Sequence, residues 1–330
     1  MSALAPTLQA FFTDRLIRQR NASPHTIAAY RDAFRLLLGH AERCLAKQPC
    51  QLEIADLDAT VIAGFLDHLE RDRGNSVRTR NARLAAIHSL FGFAAHRHPE
   101  HAEVIQRVLA IPPKRHERAL VTFLDREETN ALLAAPDRST WTGRRDHALL
   151  LLAIQTGLRA SELTGLTRGN VHLGAGAYVS CHGKGRKDRI TPLTNDTIAV
   201  LRVWLAERAG HPDELLFRTS RGAQLSHDAL ARRLTKHAST AAQVCPSLRD
   251  KKKITPHTLR HTAAMGLLRA GVDTTVIALW LGHERIDTTQ IYLHADLAIK
   301  ERALARTTPP HAKPGRYRPP DTLLAFLEAL

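Results

Sequence analysis

Hydrophobic positions in the first third of the chain recur with the period of an α-helix. Four segments place apolar side chains three or four positions apart, which is the spacing of one helical face. These segments cover residues 7–20, 24–45, 58–72 and 76–96. Ser23 followed by Pro24 has the order of an N-cap and a first helical residue. The pattern therefore predicts an all-helical domain over residues 1–111.

The helical period stops at residues 112–122, which contain two prolines and three Lys/Arg residues. This composition predicts a linker. Asp125 with Glu128 three positions later has the pattern of a capping box, so a new helix is expected to begin there. We therefore predict a second, larger and mostly helical domain over residues 123–306.

Residues 170–193 interrupt the helical pattern of the second domain. Short apolar runs alternate there with four glycines, which predicts a three-stranded antiparallel sheet. Its last hairpin is expected to turn at about residues 183–186, with Lys184 at or beside the tip. The predicted fold class is therefore mainly α with a small antiparallel β-sheet.

The composition changes again after about residue 306. Residues 307–320 are basic and rich in proline, as expected of a tether. Residues 321–330 place four leucines on one helical face after Asp321 as a cap. Because so short a helix is marginally stable alone, we expect it to pack on another surface.

The charge of the chain changes the interpretation of the second domain. The 330 residues include 47 Lys/Arg and 32 Asp/Glu, a net charge of +15, and residues 113–330 carry +12 of it. A basic field of this size favours a polyanionic partner, most often nucleic acid. The alternative is a basic protein that its charge keeps soluble.

The cysteine pattern and the lengths of the apolar runs argue against several classes of protein. The four cysteines form no CxxC pair, which argues against a zinc knuckle and against a disulfide scaffold. No apolar run approaches the roughly 18 to 20 residues needed to span a bilayer, and the chain does not open on a secretory leader. We expect a cytoplasmic protein without a membrane partner.

Two segments of the second domain carry candidate basic groups. In residues 156–166, Arg159 stands at the start of a predicted helix with Glu162 three positions later. An ordinary surface ion pair would explain this spacing equally well. Lys184 on the hairpin is the second candidate, and a charged surface tip is the ordinary explanation for one such lysine.

A third segment begins at Thr255 and Pro256, which predict a helix start. His257 and Arg260 share a face near that N-terminus, where free N–H groups favour a phosphate. His257 and His261 have the i, i+4 spacing of a zinc-binding HExxH motif. The residue after His257 is a threonine rather than glutamate, so the general base of a metalloprotease is missing. We interpret His261 as a structural residue that faces inward.

A fourth segment contains His283 and Tyr292. Together the four segments supply what a phosphodiester transfer without a metal requires. Two guanidiniums can hold the non-bridging oxygens, a lysine can protonate the leaving oxygen, and a tyrosine can form a reversible covalent link. We see no carboxylate cluster that would hold two divalent ions, so no metal and no cofactor is expected.

These residues lie in four ordered motifs that resemble those of the tyrosine recombinases, or phage integrase family. The motifs read TGLRASEL, GKGRKDRITPL, PHTLRH and LGHERIDTTQIY. The resemblance covers about residues 7–306. It implies that Tyr292 is the nucleophile and Lys184 the general acid, with Glu162 in a supporting role. It implies the following full catalytic set: Arg159, Lys184, His257, Arg260, His283 and Tyr292.

The resemblance also implies how the protein meets DNA. The helical front domain would be a core-binding domain that closes with the catalytic domain as a C-shaped clamp around the duplex. Relatives exchange strands as a homo-tetramer on two duplexes with inverted-repeat core sites. They pass through a 3′-phosphotyrosyl link and a Holliday junction, without ATP or a required metal. The free protein can be a monomer or an oligomer. Residues 321–330 are expected to dock into a neighbouring protomer.

Two basic clusters are further candidates for DNA contacts, although a solvated surface would explain each of them. One lies in the first turns of the 76–96 helix. The other lies in residues 238–254, a stretch that is longer than is usual before the PHTLRH motif. Their members are Arg78, Arg80, Arg83, Lys251, Lys252 and Lys253. The rival functions are a non-catalytic DNA-binding relative and a type IB topoisomerase.

Overall fold

The computed structural model describes most of the chain up to residue 282. The described residues are 4–115, 121–182, 188–207, 210–251, 253–282, 289 and 292. The predicted site residues Lys184, Lys252 and His283 lie outside this set, as do the predicted tether and the C-terminal helix. The chain forms two compact units, Met1–Arg118 and Ala119–Leu330.

The first unit is entirely helical in its described part. Its five α-helices are α1 (Leu4–Ala10), α2 (Pro24–Leu45), α3 (Ala59–Arg71), α4 (Val77–Ala94) and α5 (Ala102–Leu109). A π-helical segment, Phe11–Gln19, continues α1, and short 3₁₀ turns lie at Pro49–Gln51 and Pro99–His101. The helices predicted from Pro24 onward begin and end within two residues of their predicted bounds. Helix α5 was not predicted.

Local hydrogen bonds explain where these helices begin. Ser23 and Ser76 cap α2 and α4, and the Oγ of each accepts a hydrogen bond from a backbone N–H three residues later. Inside the unit, Phe11 contacts Phe34 edge to face at 6.0 Å between ring centroids. Tyr30 stacks on Phe11 at 6.2 Å, as expected of a residue on the apolar stripe of α2.

The second unit combines helices with a small sheet. Its elements are α6 (Arg126–Ala134), α7 (Trp141–Thr156), α8 (Ala160–Gly165), β1 (Val171–His172), β2 (Tyr178–His182), β3 (Asp188–Pro192), α9 (Asn195–Ala206), α10 (His227–Val244), α11 (Ser247–Asp250), α12 (Pro256–Arg269) and α13 (Thr274–Leu281). The strands are antiparallel in the order β1-β2-β3, which confirms the predicted sheet. The register pairs Tyr178 with Pro192 and His182 with Asp188. The predicted turn between β2 and β3 lies outside the described residues.

Helix α7 is the centre of this unit and packs against α9 and α12. Its leucines enter the main hydrophobic core. The same helix carries a buried polar network around Asp146, which is 2% exposed. The Asp146 carboxylate accepts hydrogen bonds from Arg145, Arg233 and His237. Burial opposes the charge of Asp146, but the bonds from His237 and Arg145 outweigh it and lower its pKa.

A second, smaller apolar cluster lies between α12 and α13. It consists of Ala264, Met265, Leu268, Ile277, Leu281 and Tyr292. Val121 and Phe123, at the start of the unit, pack against it. Lys251 holds this entry segment, because its Nζ donates to Phe123 O at 2.6 Å. Within the described part of the chain, no helix is long and apolar enough to cross a membrane.

Candidate active site

The turn between α7 and α8 positions the first arginine of the site. Gly157 ends α7 in the left-handed region, with φ 65°. A Cβ at this position would lie 2.5 Å from Leu281 Cδ2 and 3.2 Å from Ala263 Cβ. Glycine is therefore required both by the backbone angle and by the lack of space. The turn places Arg159 at the N-cap of α8.

Arg159 and Glu162 form a tight pair at the start of α8. Arg159 donates to Glu162 twice, from its backbone N at 2.8 Å and from Nη1 at 2.7 Å. The Glu162 side chain is only 4% exposed, so this is not the surface ion pair that the spacing alone allowed. Burial opposes its charge, but the Arg159 N–H and the charges of Arg189 and Arg159 outweigh burial and lower its pKa.

Arg260 enters the site from α12. Thr255 caps this helix by accepting from Thr258 N at 3.3 Å, as its Thr-Pro start predicts. Arg260 is 5% exposed and donates to Gly157 O and to Leu281 O, each at 2.6 Å. Burial, then the charges of Arg159 and Arg189, lowers its pKa to about 10. It therefore stays charged at neutral pH.

Arg189 on β3 is a site residue that the sequence analysis missed. It donates to Glu162 Oε2 at 2.8 Å and to Leu281 O at 2.6 Å. The alternation of the strand would have placed it outward, because the apolar Ile190 is the residue expected on the buried face. Ile190 is 65% exposed while Thr191 is 1% exposed. Side chains two apart share a face of a strand, so Arg189 belongs to the inward face together with Thr191.

The three guanidiniums meet at the C-terminal end of α13. Arg159 Nη2 donates to Gly282 O at 2.8 Å, while Arg189 and Arg260 both donate to Leu281 O. Helix C-termini present carbonyls without intrahelical partners and a partial negative charge, which explains this convergence. Three arginines against the single carboxylate of Glu162 give the pocket a net charge of about +2. Such a pocket suits a phosphodiester anion.

Tyr292 lies beside this arginine pocket and is 1% exposed. Its hydroxyl is 3.0 Å from His261 Nδ1, and the two rings meet edge to face at 5.6 Å. Burial raises the pKa of Tyr292 to about 12, although the charge of Arg260 acts in the opposite direction. Burial, then His257 and Arg260, lowers the pKa of His261 to about 4.

One histidine of α12 makes a contact that its sequence interpretation did not include. His261 does face inward, but it contacts the candidate nucleophile, a contact that the sequence analysis did not predict. Because His261 lies one helical turn after His257, the two rings stack at 6.4 Å between centroids. His257 is exposed at the start of α12, next to the helix N-terminus. Among the described residues, no group of three His, Cys, Asp or Glu is placed to hold a metal ion.

The three arginines of α4 that were predicted to contact DNA differ in their exposure to solvent. Arg78 is exposed, as a phosphate contact requires. Arg80 is 6% exposed and donates to Pro112 O at 3.2 Å and to Asn81 Oδ1 at 3.1 Å. Its interpretation as a DNA contact needs correction, because the guanidinium ties α4 to the segment after α5. Arg83 is half-buried, and burial lowers its pKa.

The second basic cluster is also partly engaged inside the protein. Besides its bond to Phe123 O, the Lys251 Nζ pairs with Glu128 Oε2 at 3.0 Å. Glu128 is the buried partner of Asp125 in the capping box that the sequence predicted. Lys251 therefore anchors the start of the second unit, while Lys253 is exposed.

The chain is similar to known proteins over nearly its full length. Residues 122–298 match the phage integrase family, and residues 10–98 match the N-terminal SAM-like domain of phage integrases. A Sinorhizobium fredii protein named as an integrase/recombinase, y4rC, is 57% identical over 329 residues, which cover 100% of this chain and 99% of that protein. The tyrosine recombinase XerC of Pelobacter propionicus is 34% identical over 304 residues, 90% of this chain and 93% of that protein.

A solved structure shares the fold. The XerH site-specific recombinase, bound to a palindromic difH substrate in a post-cleavage complex, superimposes with a TM-score of 0.68. It covers 87% of this chain and 81% of the XerH chain at 24% identity.

Proposed function

The chain belongs to the phage integrase family of tyrosine recombinases, and we propose that its strand cleavage takes place in the pocket of Arg159, Arg260 and Tyr292. One observation carries this proposal. Three separate parts of the second unit bring the arginines Arg159, Arg189 and Arg260 to the same two carbonyls, Leu281 O and Gly282 O. The Tyr292 hydroxyl lies beside them, bonded to the residue that follows Arg260.

The arginines would bind the scissile phosphate through the donors that now hold these carbonyls. Arg159 and Arg260 can each present two N–H groups to non-bridging oxygens. The transition state carries more negative charge there than the ground state does, so fixed guanidiniums stabilise it preferentially. Glu162 holds Arg159 and Arg189 in place. We assign His257, at the exposed start of α12, to a phosphate oxygen as well.

Cleavage then exchanges one phosphodiester for another. The Tyr292 oxygen forms a bond to phosphorus as the bond from phosphorus to the 5′-oxygen breaks. The phenol proton passes to solvent water, and the 5′-oxygen takes up a proton, for which we propose Lys184 as the donor. The products are a 3′-phosphotyrosyl link and a free 5′-hydroxyl. Attack by the 5′-hydroxyl of another strand reverses the step. We also assign His283 to the catalytic set.

We further propose a homo-tetramer that acts on two duplexes with inverted-repeat core sites, through a Holliday junction. The structures of XerH bound to a difH substrate and of a lambda integrase dimer bound to a COC′ core site support DNA as the partner. In this assembly, residues 321–330 would dock into a neighbouring protomer, with residues 309–320 as tether. Deletion of residues 309–330 should weaken synapsis more than binding to a single site. Equal loss of both would contradict the docking.

Strand exchange between two duplexes tests the function. Two differently labelled duplexes that carry a core site from the DNA flanking the gene should yield joint products, and Arg260→Lys should reduce their rate at least 100-fold because lysine loses the paired donors. Arg144→Lys is the matched control, since Arg144 pairs with Glu207 away from the site, and it should leave the rate within about twofold.

Two results would contradict the proposal. Relaxation of supercoiled plasmids that lack any core site, without joint products, would indicate a type IB topoisomerase. Tight binding to the core site without cleavage, under conditions in which the protein is folded, would indicate a non-catalytic DNA-binding protein.

A further inference from the structure

We propose that His261 is a positioning residue that holds Tyr292 in an unreactive resting position until DNA is bound. This inference rests on the proposed function, because it takes Tyr292 as the nucleophile. It concerns a residue that the motif-based set of catalytic residues does not contain.

The geometry defines a specific hydrogen bond. His261 Nδ1 and the Tyr292 hydroxyl are 3.0 Å apart, which is an ordinary hydrogen-bond distance. The two rings also meet edge to face at 5.6 Å. Tyr292 is 1% exposed and belongs to the apolar cluster that includes Leu281. The hydroxyl is therefore fixed in direction by His261 while the ring is fixed by packing.

The protonation states set the direction of this bond. The pKa of Tyr292 is about 12 and that of His261 is about 4, so both side chains are neutral at pH 7. The phenol then donates its proton to Nδ1, which places the imidazole proton on Nε2. Burial raises the pKa of Tyr292 and lowers that of His261, so transfer of the proton to His261 is unfavourable here.

The hydrogen-bond distance alone allows two roles for His261. A tyrosine and a histidine within hydrogen-bond distance are also the signature of a nucleophile with its general base. A general base for Tyr292 would have to carry a positive charge near neutral pH, which the burial of His261 opposes. In this arrangement the bond stabilises the neutral, buried phenol instead. It must break before the oxygen can reach a phosphate held by Arg159 and Arg260.

Two variants of similar size separate the hydrogen bond from the packing. His261→Asn keeps an acceptor oxygen near the Nδ1 position, whereas His261→Leu fills the space without an acceptor. The assay is single-turnover cleavage of a nicked suicide duplex at saturating protein, with the covalent adduct followed over time. A neutral hydrogen bond contributes about 1 kcal/mol, so its loss should raise the cleavage rate constant about fivefold.

The expected result is that His261→Leu cleaves about fivefold faster than the wild type, while His261→Asn stays within about twofold of it. Equal rate constants for the two variants would overturn the proposal, because packing alone would then account for the position of Tyr292. A fall of 100-fold or more in both variants would also overturn it, and would make His261 the general base.

A second measurement needs no DNA and no cleavage. In protein labelled with ¹⁵N-histidine, the His261 signals are those missing from His261→Asn. We expect an unprotonated Nδ1 whose resonance shifts in Tyr292→Phe, because the hydroxyl donor is gone. An unchanged resonance would overturn the proposal. If the wild type forms no adduct on Tyr292 but this shift is present, the proposed function fails while the contact itself stands.

Discussion

Replacement of Glu162 by glutamine should destabilise the second unit strongly. The Glu162 carboxylate is 4% exposed and accepts three hydrogen bonds, from Arg159 N, Arg159 Nη1 and Arg189 Nη2. Glutamine is nearly isosteric but neutral, and its amide group would point N–H donors at arginine donors. Breaking a buried ion pair by removing one partner costs about 3–5 kcal/mol. Because glutamine keeps one acceptor oxygen, we take the lower value of about 3 kcal/mol.

Thermal unfolding measures this loss. In a unit of about this size, each 1 kcal/mol lowers Tm by about 2–4 °C, so Glu162→Gln should lower it by about 6–12 °C. Glu207→Gln is the matched control, because Glu207 pairs with Arg144 at the surface, with side chains 20% and 36% exposed. Its loss should not exceed about 1 kcal/mol. A Tm loss for Glu162→Gln no larger than that of the control would refute the reasoning.

The pH dependence gives the same argument a second check. The folded pKa of Glu162 lies below its usual value, so the unfolded chain binds its proton more readily. The stabilisation by the carboxylate is therefore present above the unfolded pKa of about 4.3 and is lost as pH falls through the folded pKa. The difference in Tm between wild type and Glu162→Gln should be full at pH 7 and disappear in that acid range.

Three further outcomes follow from the structure. Gly157→Ala should lower stability more than Gly176→Ala. Both glycines have positive φ, but only Gly157 of the two has neighbours within 4 Å among the described atoms. Thermal unfolding compares the two variants, and equal losses of Tm would contradict the close packing at Gly157. Arg78→Ala should weaken DNA binding and reduce the salt slope of the binding constant by about 1. Arg80→Ala should instead lower the stability of the first unit and leave the salt slope unchanged. Salt titrations in which Arg80→Ala, and not Arg78→Ala, reduces the slope would contradict the burial of Arg80. Asp146→Asn should cost about 3 kcal/mol in denaturant unfolding, because it leaves buried donors of Arg145 without their charged acceptor, and a loss below about 1 kcal/mol would contradict the network.

Most of the fold could be predicted from patterns among residues that are close in sequence. The Ser-Pro and Thr-Pro helix starts and the capping box at Asp125 act within one turn of chain, so the sequence predicted them and the structure contains them. The sheet followed from the alternation in residues 170–193. The π-helical form of Phe11–Gln19 was not predictable in this way, because the same apolar period is compatible with an ordinary α-helix.

The candidate site was predictable only in part, since its contacts join distant segments. Arg159 with Glu162 and His257 with Arg260 are close in sequence, and their spacing indicated a shared face. Arg189 meets Glu162 across 27 residues, and His261 meets Tyr292 across 31. The spacing of residues along the chain does not indicate contacts between segments this far apart.

Arg80 illustrates the opposite error. A cluster of arginines in the first turns of a helix indicated phosphate contacts, yet one member is buried against the carbonyl of Pro112. Charge alone did not reveal which guanidinium faces the solvent, because that depends on where the segment after α5 returns to α4.

Covalent trapping on DNA tests the central claim most directly. The full-length protein would be incubated with nicked suicide duplexes taken from the DNA flanking its gene, and the adduct would be mapped by peptide mass spectrometry. We expect a nucleotide adduct on Tyr292 and none with Tyr292→Phe, whose fold can be verified by its thermal unfolding. An adduct on Tyr178 or Tyr317, or cleavage that survives in Tyr292→Phe, would contradict the assignment of Tyr292 as the nucleophile.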